Sequence, residues 1–180
     1  MNFHRIGTGL NVLPLQTALI RQPELFGRHG ERQKTYVHGG MTDIWVRYND
    51  IKNLGPKFND EHDAVWYPEA AAIPQVRGPV MQLMAAVEGE RLGGVLITKV
   101  PPGGEIKPHV DSGWHAGYYD KYYVPILNEP GAKFCFEDGE INPTVGDVWW
   151  FRNDVPHWVR NDSNTDRIAM IVCIKSHKGV

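Results

Sequence analysis

Two histidines and one aspartate have the types and spacing of a metal site. His109 and Asp111 are separated by a single residue, and His157 follows further along the chain. Side chains alternate between the two faces of a β-strand, so an extended backbone would place His109 and Asp111 on the same side. Two imidazoles and one carboxylate form the set that binds non-haem Fe(II) and leaves coordination positions open. We therefore predict that His109, Asp111 and His157 bind one iron ion.

An arginine follows the distal histidine in a segment that is expected to be buried. Arg167 opens the apolar run 168–174, which is typical of an interior strand. A guanidinium in such a strand needs an anionic partner, because burying an unpaired charge is costly. It binds a carboxylate through two parallel hydrogen bonds. A dicarboxylic cosubstrate such as 2-oxoglutarate would pair with Arg167 while its keto-acid end binds the iron.

The predicted metal ligands and Arg167 lie within a series of short apolar runs that turn residues separate. Such runs fill the chain from Leu92 onward. The candidate strands are 95–100, 106–111, 122–126, 133–136, 147–151, 157–160 and 167–175. Short strands at this turn-rich spacing are typical of an all-β barrel or a double-sheet sandwich.

The first half of the chain predicts helices and supporting strands. Apolar residues at helical spacing predict a short helix between Pro14 and Pro23, and an amphipathic helix over 76–87 that Gly89 ends. The stretch 42–48 reads as a strand and 64–67 as a brief edge strand. We predict one oxygenase domain over residues 1–180, in which 1–91 supply helices and supporting strands and 92–175 form the core.

The composition excludes several classes of protein. Hydrophobic residues make up 42% and charged residues 22%, which argues against extensive disorder. The 19 Lys and Arg nearly balance the 21 Asp and Glu, so no broad basic face for nucleic acid is expected. No long apolar run predicts a signal peptide or a membrane span. Cys135 and Cys173 lie in apolar runs as reduced core residues, which fits a cytoplasmic protein.

These motifs resemble the jelly-roll oxygenases that depend on Fe(II) and 2-oxoglutarate, and in particular the aspartyl/asparaginyl β-hydroxylase-like branch. The family motif Pro-Gly-x-x-x-x-Pro-His matches residues 102–109, and its distal His and Arg match His157 and Arg167. The resemblance covers about residues 98–174. It implies a mainly β, cupin-like double-stranded β-helix with flanking N-terminal helices. It also implies a dioxygenase that uses O₂ and hydroxylates an amino-acid side chain, free or peptidyl, or another small substrate.

The resemblance also assigns roles in cosubstrate binding. It implies that Arg167 holds the distal carboxylate of 2-oxoglutarate and that Thr98 stands in for a family serine that contacts the same molecule. Lys121 and Tyr123 occupy the place of an Arg-x-His pair near the cosubstrate and the substrate. Lysine keeps the charge of arginine but loses its bidentate fork. No catalytic residue beyond the metal ligands is implied.

Asp111 is a departure from the protein that names the branch. That aspartyl hydroxylase lacks a carboxylate two residues after the first histidine, whereas this chain has the full triad of the wider superfamily. Peptidyl aspartate therefore does not follow as the substrate.

The sequence is also compatible with two other functions. One is a cupin-like module that binds a small ligand without oxidation, and the other is a cupin enzyme that uses Zn or Mn, since the ligands alone do not choose the metal. Arg167 argues against the second. The remaining histidines are predicted to be surface or loop residues: His4, His29, His38, His62, His115 and His177. Among them, His115 and its neighbour Trp114 are candidates to contact a substrate, because they follow the first metal ligands. The substrate and the oligomeric state are not readable from the sequence.

Overall fold

The computed structural model describes residues 1–177. Within that range the chain forms eleven β-strands and four α-helices. The strands are β1 (Phe3–Gly7), β2 (Thr42–Tyr48), β3 (Val65–Trp66), β4 (Gly89–Val100), β5 (Glu105–His109), β6 (Asp120–Leu127), β7 (Ala132–Phe136), β8 (Gly139–Ile141), β9 (Val148–Phe151), β10 (His157–Asn161) and β11 (Arg167–Ser176). The helices are α1 (Leu13–Arg21), α2 (Glu69–Ala72), α3 (Arg77–Ala86) and α4 (Trp114–Tyr118).

Two antiparallel sheets make up the body of the molecule. The larger has the strand order β1-β9-β6-β11-β4-β2-β3, and the smaller has the order β5-β10-β7-β8. Apolar side chains from both sheets, such as Ala169 and Phe151 from the larger and Phe134 and Val159 from the smaller, pack in one cluster between them. The prediction of a mainly β, double-sheet jelly roll is therefore confirmed.

The helices pack on the outer face of the larger sheet. On β11 the even-numbered residues 168–174 join the core beneath α1 and α3, where Leu15 and Leu83 contribute. The odd-numbered residues of the same strand point the other way, toward the second sheet. This alternation explains why the run after Arg167 is continuously apolar, since both faces of β11 are covered. No helix within residues 1–177 is long and apolar enough to cross a membrane.

The boundary between α3 and β4 differs from the prediction. The helix ends at Ala86, and Glu88 takes the left-handed conformation at φ 50°. Gly89 opens β4 instead of ending the helix. A side chain there would lie 2.7 Å from Cγ2 of Ile174, so the glycine is required by packing and not by a helix cap. The sequence around Gly89 does not reveal this role, because close approach to a strand distant in the chain depends on residues far away.

Strands β1 and β8 were not predicted from the sequence. β1 lies at the edge of the larger sheet and pairs with β9. Its burial follows no strict alternation, so the period of two that marks a half-buried strand is weak. The brief edge strand predicted within 64–67 is present as β3.

Candidate active site

Pairing between β5 and β10 brings the two histidines together. His109 and His157 are direct cross-strand partners, although their positions are far apart in sequence. Asp111 lies beyond the end of β5, and its backbone N–H donates to the carbonyl of Asn153 at 2.9 Å. This loop contact, and not strand alternation as the sequence suggested, sets the position of Asp111.

The three side chains present their ligand atoms to one point. Nε2 of His109 lies 3.7 Å from Oδ1 of Asp111, and Nε2 of His157 lies 3.8 Å from Oδ2. All three ligand atoms lie within 4.8 Å of one another, and the group is the one such cluster of metal-binding side chains in residues 1–177. The arrangement matches the donor set that non-haem Fe(II) uses.

Backbone carbonyls fix the orientation of both imidazoles. Nδ1 of His109 lies 2.7 Å from the carbonyl oxygen of Lys107, and Nδ1 of His157 lies 2.9 Å from that of Val155. A carbonyl oxygen only accepts, so each Nδ1 carries the proton and donates. Each Nε2 is then left with a free lone pair, as a metal-binding histidine requires.

The protonation states also suit a divalent cation. Burial lowers the pKa of His157 to about 4, so its imidazole is neutral at pH 7. Burial alone would raise the pKa of Asp111, but the charges of Lys121 and the histidines outweigh it and lower the pKa to about 2. A neutral imidazole and an ionised carboxylate are the forms that bind metal. The residues present therefore fit Fe(II).

Lys121 lies beside the metal site. Its Nζ donates to Oδ2 of Asp111. Burial opposes the charge of Lys121, but the carboxylate more than compensates and raises the pKa of the ammonium. The prediction placed Lys121 near the cosubstrate, and the structure brings it into contact with a predicted metal ligand.

A cavity of about 650 Å³ joins the triad to the residues predicted to bind the cosubstrate. Thr98 and Arg167 line it, from the adjacent strands β4 and β11. Arg167 is only 2% exposed, and its Nε has no hydrogen-bond partner among the described residues. An unpartnered buried guanidinium N–H calls for an acceptor such as a carboxylate, so the cavity fits 2-oxoglutarate.

Tyr123 lies behind Arg167 and not in the cavity wall. The guanidinium carbon of Arg167 is 5.1 Å from the centroid of the Tyr123 ring. Burial raises the pKa of the Tyr123 phenol, and the adjacent charge of Arg167 opposes that rise. The ring thus supports the guanidinium from one side.

Three histidines that the sequence assigned to the surface or to loops line the same cavity, and one of them, His115, was also predicted to contact a substrate: His38, His62 and His115. The ring of His38 lies 5.2 Å from that of His109, and the His62 and His115 rings stack at 5.6 Å. Burial lowers the pKa of His115 to about 3, with the charge of Lys121 adding to the effect. The segments of His38 and His62 lie outside the strand pattern, which is why no sequence signal marked these two residues, whereas the position of His115 after the first metal ligands did mark it.

Two segments form one side of the cavity mouth. The backbone N–H of Trp114 donates to the carbonyl of Asn59 at 3.0 Å, joining the start of α4 to the segment 55–62. Gly113 has φ 89°, and a side chain there would lie 2.7 Å from Oδ1 of Asn59. Glycine is required at this junction. Trp114 itself stacks on Tyr118 outside the cavity, so of the two residues it is His115 that faces the site.

Comparison with known protein families gives one match that covers most of the chain. The family described as aspartyl/asparaginyl beta-hydroxylase matches residues 58–176, about two thirds of the chain. None of the curated proteins matches the sequence.

Several solved structures share the fold. A prolyl hydroxylase from Trichoplax adhaerens, in complex with a hypoxia inducible factor oxygen degradation domain peptide fragment, is 15% identical, with a TM-score of 0.61 over 98% of this chain and 84% of that one. A 2OG-Fe(II) oxygenase family oxidoreductase from Burkholderia pseudomallei is 14% identical, with a TM-score of 0.60 over 90% and 80%. A viral collagen prolyl hydroxylase from Paramecium Bursaria Chlorella virus-1 is 12% identical, with a TM-score of 0.58 over 99% and 97%. At these identities the similarity establishes the fold.

Proposed function

The chain belongs to the aspartyl/asparaginyl beta-hydroxylase family, and from that premise we propose that His109, Asp111 and His157 hold the Fe(II) of a 2-oxoglutarate-dependent hydroxylase. The observation that carries this assignment is their convergence on one cavity, whose wall also contains Arg167 with an Nε that has no hydrogen-bond partner among residues 1–177. When bound, Fe(II) couples the oxidation of 2-oxoglutarate by O₂ to hydroxylation of the substrate.

We propose that Arg167 binds the distal carboxylate of 2-oxoglutarate. Its position at the start of β11 points its side chain between the sheets, and Tyr123 supports it from behind. Thr98, on the neighbouring strand, contributes a hydroxyl to the same part of the cavity. A guanidinium that is already buried and oriented loses little freedom when the carboxylate arrives, which favours binding.

We propose that Lys121 keeps Asp111 ionised and oriented. The ammonium contacts Oδ2, the oxygen on the His157 side, and Asp111 thereby retains Oδ1 toward His109. Around this polar cluster, Phe134 and Phe151 form apolar walls that exclude water from the reacting atoms.

We infer that the substrate offers an amino-acid side chain, free or peptidyl, or is another small molecule. The family name supports an amino-acid side chain, and two of the similar structures are prolyl hydroxylases. We also infer one oxygenase domain over residues 1–180, and a cytoplasmic location, which the reduced, buried Cys135 and Cys173 support.

The test combines His109→Ala with a matched control. Under anaerobic conditions, Fe(II) and 2-oxoglutarate should give a visible charge-transfer band in the wild-type protein, and in air the loaded protein should release succinate. His109→Ala should lose both. His177→Ala replaces an exposed histidine that does not line the cavity and should keep both. A wild-type protein without the band would favour the cupin-like binding module, and full turnover in His109→Ala would refute the ligand assignment.

A further inference from the structure

The cavity contains an acidic residue that the metal and cosubstrate sites do not use. Glu31 lines it, and its Oε2 is buried without a hydrogen-bond partner among residues 1–177. The other acidic residue of the lining, Asp111, is contacted by Lys121. A carboxylate oxygen removed from water and left without a donor is costly, so Glu31 is poised to accept one.

The neighbouring arginine does not supply that donor. Nη1 of Arg32 lies 2.6 Å from Oδ2 of Asp43, a carboxylate that is completely buried. Gln33 donates to the other oxygen of Asp43 at 3.1 Å. The charge of Arg32 is thus paired with a residue of the β2 strand, and within residues 1–177 it forms no ion pair with Glu31.

Aromatic rings line the same cavity as Glu31. Tyr48 and Phe58 line the cavity with ring centroids 5.9 Å apart, and Trp45 backs Tyr48 at 4.8 Å. The edge of Trp45 meets Tyr67 at 5.5 Å.

We propose that Glu31, Tyr48 and Phe58 bind a cationic group of the substrate, an ammonium or a guanidinium. The carboxylate accepts charge-assisted hydrogen bonds from such a group, and the faces of the two rings attract it electrostatically. The inference rests on the proposed function in treating this cavity as the place where the substrate binds. It narrows the substrate class from any amino-acid side chain or small molecule to one that carries a positive charge.

Binding of a minimal cation and its neutral counterpart tests the proposal. The probes are n-butylammonium and butan-1-ol, titrated into the full chain and followed by calorimetry. The wild-type protein should bind n-butylammonium at least about tenfold more tightly, as one charge-assisted hydrogen bond implies. Glu31→Gln should reduce that preference to less than threefold. Glu24→Gln removes an exposed carboxylate outside the cavity and should leave the preference unchanged.

A second variant tests the aromatic contribution without altering charge. Tyr48→Leu should weaken n-butylammonium binding by about threefold and leave butan-1-ol binding unchanged. Equal binding of the two probes to the wild-type protein would overturn the proposal, and so would a preference that survives Glu31→Gln.

The anaerobic Fe(II) and 2-oxoglutarate band, measured on the same proteins, separates the proposed cation site from the proposed function. A wild-type protein with the band and no ammonium preference refutes only the cation site, whereas a missing band refutes the proposed function.

Discussion

Replacing Arg167 with methionine removes the cation that we propose binds the distal carboxylate of 2-oxoglutarate. The guanidinium is 2% exposed, and its Nε has no hydrogen-bond partner within residues 1–177. In the cosubstrate complex it would form a buried, hydrogen-bonded charge pair. Removing one partner of such a pair typically costs about 2–5 kcal/mol.

That cost predicts a large loss of affinity. Since about 1.4 kcal/mol corresponds to a tenfold change, the Kd of Arg167→Met for 2-oxoglutarate should rise at least about 30-fold. The stability of the cosubstrate-free protein should behave differently. An unpartnered buried donor costs about 1–3 kcal/mol, so methionine should leave the free energy of unfolding unchanged or raise it.

Anaerobic titration of the charge-transfer band gives the affinity, and urea unfolding without cosubstrate gives the stability. Arg160→Met is the matched control, because Arg160 is exposed on β10 and, among residues 1–177, forms its ion pair with the surface residue Asp162. It should leave the affinity for 2-oxoglutarate unchanged. A Kd for Arg167→Met within threefold of the wild-type value would refute the clamp. Strong destabilisation of the free protein would show that Arg167 has an internal partner instead.

Four further substitutions test the protonation, the packing and the polar turns of the fold. The pKa of His115 is about 3 in the folded state and near 6.5 in the unfolded state, so the unfolded state binds the extra proton and stability falls as the pH drops between these values. From pH 6.5 to 4.5, the free energy of unfolding of the metal-free wild-type protein in urea should fall by about 2 kcal/mol more than that of His115→Gln. Equal losses in the two proteins would contradict the buried neutral imidazole. Gly40→Ala would place a carbon 2.4 Å from the carbonyl oxygen of Glu105, next to the strand of the first ligand, and should destabilise by more than about 2 kcal/mol in thermal unfolding. Gly78→Ala lies in open space on α3 and should stabilise by about 0.5–1 kcal/mol, so similar effects of the two alanines would refute the packing argument. Asn161→Ala removes donors to the carbonyls of Val100 and Thr165 at 2.9 and 2.8 Å and should cost about 1–3 kcal/mol by the same measurement; a loss under 0.5 kcal/mol would show that water replaces the side chain.

The residue types and their spacing were sufficient to predict the ligands of the candidate site and the strand-rich fold. The residue types at positions 109, 111, 157 and 167 predicted a metal site with a cationic clamp, and the structure brings these side chains into one cavity. The short apolar runs predicted the two-sheet architecture, because strand spacing and turn residues are properties of neighbouring residues. Helices α1 and α3 followed from the 3.6-residue repeat in the same way.

Contacts between distant segments were decided only by the tertiary structure. Strand alternation in the sequence predicted that His109 and Asp111 lie on one face of a strand. In the structure β5 ends at His109, and a hydrogen bond from the backbone N–H of Asp111 to the carbonyl of Asn153 holds Asp111 in place. Gly89 looked like a helix terminator, yet it is needed where β4 passes Ile174.

The part of the cavity lining that lies outside the strands shows the same difference between sequence and tertiary structure. Glu31 and His62 come from segments with no periodic pattern, and each looks like an ordinary loop residue in the sequence. Their shared cavity depends on how the chain folds over the sheets. The sequence by itself therefore determined the ligand types and the strand-rich fold, since those depend on residue chemistry and short-range spacing. The tertiary structure decided which loop residues line the cavity, because that depends on register and packing between segments far apart in the chain.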